Sequence, residues 1–123
     1  MDIRVKTTDY SMTPDTSSYL DERIRSLEKL LASDAETARC EVELGRDAGR
    51  PRHGANIFFA EMHVICPGGA NVYARNNAET INAAIDDVKE EVERQLLRER
   101  KLHIRMWRKG GAYAKRLMRF GQD

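Results

Sequence analysis

Apolar and polar residues alternate from the start of the chain. Ile3, Val5 and Thr7 fall between Arg4, Lys6 and Thr8, the two-residue period of a strand with one buried face. Thr13 then supplies a helix cap, and Pro14 occupies the first helical position, where its missing N–H does no harm. Leu20, Ile24, Leu27 and Leu31 follow at steps of four, three and four, widened by Tyr19 and Leu30, so an amphipathic helix is predicted over residues 14–32. Its outer face carries Arg23, Arg25 and Lys29 beside Asp21, Glu22 and Glu28.

After a polar connection at 33–37 the period returns to two, with Cys40, Val42 and Leu44 opposite Arg39, Glu41 and Glu43. Residues 45–56 hold Gly, Pro, Arg and Asp without an apolar period and read as a long hairpin loop. Phe58, Ala60, Met62, Val64 and Cys66 then form one face of a third strand, and Phe59, Glu61, His63 and Ile65 the other. Pro67, Gly68 and Gly69 make a turn into a short fourth strand with Val72 and Ala74 inward. Asn76 with Glu79 resembles a capping box, with Asn77 as a rival cap, for a long helix over 76–109. Ile81, Ala84, Ile85, Val88, Val92 and Leu96 make its apolar stripe.

The expected architecture is therefore α+β in the order β-α-β-β-β-α. A four-stranded mixed sheet, its first two strands parallel and the rest antiparallel, carries two amphipathic helices on one face and is followed by a basic C-terminal tail. The other face, with Arg4, Lys6, Arg39, Glu41, Glu43, Glu61, His63 and Tyr73, is expected to be wet.

Charge changes this picture from a fold to a partner. The 123 residues suit one domain, and net charge is only +1. Yet residues 1–97 hold 12 Lys/Arg against 18 Asp/Glu, whereas residues 98–123 hold nine against two. Arg94, Arg98, Lys101, Arg105 and Arg108 recur at steps of four and three on the helix side away from the core stripe. Such local basic density is what a phosphate backbone selects. The competing reading is a helix whose early acids and late bases suit its dipole, with Glu90 and Arg94 as an i, i+4 pair. Beyond Leu102, Trp107, Lys109, Tyr113, Lys115, Arg116, Arg119 and Phe120 interleave bases with aromatics, which suits single-stranded RNA, while Gly110 and Gly111 break the helix. The alternatives for this tail are packing of Ile104 and Trp107 back on the domain, or a short amphipathic helix from Tyr113 to Phe120 that orders only on a partner.

Catalytic chemistry finds no foothold, and neither a cofactor nor a small-molecule substrate is implied. Cys40 and Cys66 fall at inward positions, where a buried thiol is the usual reading. His63 and Cys66 have metal-like spacing but alternate to opposite faces, so no metal site is expected. Glu61 and His63 share a face, which strand alternation already explains. No glycine-rich loop leads from strand to helix. Neither a signal sequence nor a membrane-length apolar run is present, so a cytoplasmic protein is expected, without a membrane partner.

The element order, the stretch MTPDTSSYLDERIRSLEKL at 12–30 and AIDDVKEEVERQL at 84–96 together resemble the ribosome hibernation promoting factors and ribosome-associated inhibitors, or protein Y family, over residues 1–101. The resemblance implies a ribosome-binding domain at 1–101 and a basic aromatic extension at 102–123. It implies binding to the small ribosomal subunit and its ribosomal RNA, between head and body, over the tRNA and mRNA sites. Translation would be silenced and idle ribosomes protected. Carried over by position, the RNA contacts would be Arg23 and Lys29 on the first helix and Arg94 and Arg98 on the second, with Lys101 extending the ladder. A general structured-RNA module would use the same ladder. Glu91 and Ser26 stand where relatives carry lysine, and Asn82 replaces an aromatic residue, which shifts the expected contact toward the C-terminal end of the second helix. With the sequence running only to Asp123, the second domain by which long relatives pair ribosomes is not expected.

Overall fold

Residues 1–47 and 55–99 are described in the structure, a computed structural model. Strand β1 (Asp2–Thr8) leads into helix α1 (Pro14–Leu31) and a 3-10 turn at Ala32–Glu36. Strands β2 (Arg39–Arg46), β3 (Phe58–Ile65) and β4 (Asn71–Ala78) follow. A second helix, α2, occupies residues 81–99 of the described chain. The four strands form one sheet in the order β1-β2-β3-β4, with β1 parallel to β2 and the other pairs antiparallel. The predicted α+β order and mixed sheet are therefore the observed ones, while the predicted basic tail lies outside the described residues.

Helix α1 begins as its sequence requires. The Thr16 N–H donates to Thr13 Oγ1 at 3.2 Å, and Ser17 N–H closes the first turn on the Thr13 carbonyl at 2.9 Å. Thr16 is buried, and its hydroxyl is satisfied by the Tyr10 hydroxyl at 3.0 Å. Leu20, Ile24, Leu27 and Leu31 enter the core with Ala84, Ile85, Val88, Val92 and Leu96 of α2. They meet Cys40, Val42 and Leu44 of β2, Ala60, Met62 and Val64 of β3, and Val72, Ala74 and Ala78 of β4. Both helices thus cover one sheet face, and burying each such aliphatic side chain stabilises the fold by about 1.5–3 kcal/mol. At the β3–β4 turn the Gly69 N–H returns to the Cys66 carbonyl at 2.9 Å. Gly68 takes φ 72° there, the left-handed position that a Pro-Gly turn demands.

Several boundaries depart from the periodicity reading. Asn76 and Asn77 belong to β4, paired with Ala60 and Phe59, and do not cap α2. Their amides instead donate to Asp87 and Asp47, each at 2.7 Å. The cap is Thr80, whose side chain and carbonyl accept from the Ala83 and Ala84 N–H groups at 3.1 Å. Gly45 and Arg46 extend β2 and are not loop residues; of the predicted loop, 48–54 lie outside the described residues, as do the predicted helical residues 100–109. The expected buried face of β1 is not buried: Ile3 and Val5 are 37% and 45% exposed. They pair with Cys40 and Val42 on the helix-bearing side, but the cover ends over β2.

The helix-free face is wet, as predicted, except at Phe59. This ring is buried because the Arg75 guanidinium lies 4.1 Å from its centroid and Gly45 leaves space beside it. Elsewhere Tyr73 donates to Glu61 at 2.6 Å, Thr8 donates to Glu43 at 2.7 Å, and His63 Nε2 lies 2.6 Å from Asn71 Oδ1. Tyr73, Glu61, Glu43 and His63, with Arg4 and Lys6, edge a depression of about 350 Å³. Cys40 and Cys66 are free, buried thiols. Among the described residues no helix is long and apolar enough to cross a membrane.

Candidate nucleic-acid interface

The helical layer holds the described residues of the expected RNA contact. Across α1 and the described α2 it carries six basic residues, Arg23, Arg25, Lys29, Lys89, Arg94 and Arg98, against ten acidic ones. Most of the cations are engaged locally. Arg25 pairs with Asp21 at 2.9 Å, Lys89 with Glu93 at 2.6 Å, and Arg94 with Glu91 at 3.3 Å. The Arg94 partner is thus three residues back, not the expected Glu90. Such exposed pairs are weak, so a phosphate can compete for Arg94, whose side chain is 63% exposed.

Arg23 is different and does not lie on the open outer face. It sits at the seam between the helices, its side chain 29% exposed, with Nε donating to Asp86 Oδ1 at 2.8 Å. The Tyr19 hydroxyl donates to the other Asp86 oxygen at 2.5 Å, and the Arg23 guanidinium lies 4.1 Å above the Tyr19 ring. Burial alone would raise the Asp86 carboxyl, but the two hydrogen bonds and the Arg23 charge bring it below its ordinary 3.8. The hydrogen bond to Asp86 in turn raises both Tyr19 and Arg23. This triad joins α1 to α2 and holds the Arg23 side chain in one place. Its geometry marks Arg23 first as a cross-helix tie.

Lys29 and Arg98 are exposed and make no ion pair among the described residues. With Arg94 they are the cations of the predicted set most readily offered to a phosphate. Lys101, Arg105, Arg108, Trp107, Lys109, Tyr113, Lys115, Arg116 and Arg119 lie outside the described residues. Asp86 has almost no mark in the sequence, because nothing in one dimension states which faces of α1 and α2 adjoin. Its signals are its place one residue beyond the buried Ile85, at the margin of the apolar stripe, and its presence in the AIDDVKEEVERQL stretch.

Beside β4, a polar groove of about 450 Å³ runs along α2 between Arg75 and Arg94, with Asp87, Glu90 and Glu91 on its wall. At its end Gln95 clasps the strand edge, accepting from the Tyr73 N–H at 3.2 Å and donating to the Tyr73 carbonyl at 2.8 Å. An amide side chain here stands in for a fifth strand. In the sequence Gln95 figures only within the ERQL motif, since pairing with a strand edge leaves no periodic trace.

The described residues thus form a β-α-β-β-β-α domain, with Arg94 and Arg98 on the last described turns of α2. The chain belongs to the Sigma 54 modulation protein / S30EA ribosomal protein family, whose profile matches residues 3–103. No curated protein matches it. Among solved structures it is similar to the N-terminal domain of protein Y from Thermus thermophilus, at 23% identity and TM-score 0.61, covering 80% of this chain and 98% of that one. It is also similar to a ribosomal subunit interface protein from Coxiella burnetii, at 11% identity and TM-score 0.62, covering 82% of this chain and 99% of that one. At these identities the likeness is one of fold.

Proposed function

We propose that this chain is a cytoplasmic ribosome hibernation factor. It occupies the tRNA and mRNA region of the small ribosomal subunit, silences translation and stabilises idle ribosomes. The observation that carries the reading is the family match over residues 3–103, on a chain whose residues 98–123 hold nine bases against two acids. Lys29, Arg94 and Arg98 open the contact on the helical layer. Lys101, Arg105 and Arg108, then the bases and aromatics from Trp107 to Arg119, continue it. Arg23 contributes by fixing the two helices relative to each other while its remaining N–H groups face the RNA. Acidic residues around Arg94 keep the middle of the helical layer from binding polyanions indiscriminately. Phosphate contacts of this kind select a folded RNA shape and do not read bases.

The test is sedimentation of the protein with vacant ribosomes at two salt concentrations, with and without tRNA and mRNA. Saturable binding to the small subunit, displaced by tRNA or mRNA, is expected. Changing Arg94 and Arg98 together to Glu leaves folding intact and lowers the slope of log affinity against log salt by roughly 0.7–0.9 for each phosphate that is no longer neutralised. Undiminished binding by that folded double variant would remove the site assignment. Binding of unrelated structured RNA as tightly as ribosomes would replace the ribosomal reading with the general RNA module.

A further inference from the structure

The two edges of the sheet are treated differently, and the difference points to a second interface. On β4 the outward backbone groups of Tyr73 are taken by the Gln95 amide. On β1 the Asp2 N–H donates to the Ala38 carbonyl at 3.0 Å, so Asp2, and by alternation Arg4 and Lys6, turn their backbone groups toward β2. Ile3, Val5 and Thr7 therefore turn N–H and C=O outward. Nothing among the described residues covers this edge, where Ile3 and Val5 are 37% and 45% exposed. A seven-residue strand with an open ladder and apolar side chains beside it is a template for another strand.

We infer that this edge binds a second copy of the chain, the two β1 strands pairing antiparallel about a two-fold axis at Arg4 to form one continuous eight-stranded sheet. The pattern of β1 is complementary to itself in that register. Ile3 of each copy stands opposite Val5 of the other as a hydrogen-bonded pair, joining the apolar patches on the helix-bearing side. Asp2 stands opposite Lys6 twice, on the helix-free side, as opposite charges. Arg4 meets its own copy at the axis, where each guanidinium already has Asp2 at 3.4 Å. Outward backbone groups allow only registers that place odd-numbered residues against odd-numbered ones. Moving the axis to Val5 sets Arg4 against Lys6, and moving it to Ile3 leaves Thr7 unmatched. Because the Gln95 amide occupies the outward groups of Tyr73 on the other edge, a strand cannot add there in the same way, and pairing through β1 ends at a dimer.

The experiment is sedimentation equilibrium of the full chain over a concentration series, with circular dichroism and thermal unfolding of each variant. A reversible monomer–dimer equilibrium is expected. Val5→Pro is expected to abolish the dimer and keep the fold, because the N–H it removes points away from β2. Lys6→Glu is expected to weaken dimerisation about tenfold, since two attractive cross-strand pairs become repulsive. The exchange of both charges, Asp2→Lys with Lys6→Glu, is expected to recover at least about threefold of that loss, short of full restoration because it also takes Asp2 from beside Arg4. These surface changes keep the inference testable if Val5→Pro does not fold. A wild-type chain that stays monomeric at every concentration, a dimer indifferent to Val5→Pro or Lys6→Glu, or failure of the charge exchange to rescue would overturn it.

Discussion

Gly45 carries a sharp prediction because the space beside it is already filled. A Cβ at this position would stand 2.5 Å from the Thr8 carbonyl oxygen and 2.6 and 2.7 Å from two ring carbons of Phe59. Carbon atoms rest about 3.5–4.0 Å apart, so the ring would have to retreat by about 1 Å. It has little room, being buried and held under the Arg75 guanidinium at 4.1 Å. Overpacking of this kind costs about 1–3 kcal/mol. Gly45→Ala also restricts the unfolded chain, which returns about 0.4–1 kcal/mol. The expected net loss is thus about 1–2 kcal/mol, a fall in Tm of roughly 5–15 °C for a domain of this size. Urea and thermal unfolding measure it. A double-mutant cycle with Phe59→Leu, which removes the ring atoms in question, gives the cause. In that background Gly45→Ala is expected to cost at least about 1 kcal/mol less, though not zero, since the Thr8 carbonyl remains. Equal costs in the two backgrounds, or a Gly45→Ala protein as stable as wild type, would refute the packing argument.

Two further predictions concern titrating groups. Asp86 lies below its ordinary value when folded, so the seam contributes stability that is present above 3.8 and is lost as pH falls through the folded value. Tyr19 is raised above 10.0, so its proton, and the bond it makes, is lost only as pH climbs past the folded value. In unfolding titrations the gap between wild type and Asp86→Asn is expected to shrink on going from about pH 6 to about pH 2; a gap that does not change with pH would refute the link to Asp86 ionisation. Burial, reinforced by Glu28 and Glu41, pushes the Cys40 thiol up to about 12 from 9.0. At mildly alkaline pH its thiolate population falls about a thousandfold, so iodoacetamide is expected to label Cys40 in the folded protein far more slowly than in urea. Fast labelling of the folded chain, read by mass spectrometry, would contradict that burial.

Periodicity alone determined the element types, their order and most of the core, for a local reason. The stripe from Leu20 to Leu31, the stripe from Ala84 to Leu96 and the alternation through β2 and β3 each reflect which side of one element loses water, and that choice is written residue by residue. The TP cap of α1 is legible for the same reason, since it involves only residues three apart. The charge step at residue 98 was equally visible, because composition needs no fold.

Everything that depends on two elements meeting was decided by tertiary structure. Asn76 and Asn77 look like caps until β3 pairs with them, and the helix then starts at Thr80. Ile3 and Val5 look buried until the sheet order leaves β1 at an edge beyond the helical cover. Arg23 looks like a solvent-facing RNA ligand until Asp86, 63 residues away on α2, takes its Nε and the hydroxyl of Tyr19, its neighbour one turn back. The Gln95 clasp on Tyr73 spans 22 residues of sequence and leaves no periodic signature. Apolar patterning is a property of each element with water, whereas these contacts are properties of pairs of elements, and only the assembled sheet and helices determine which pairs exist.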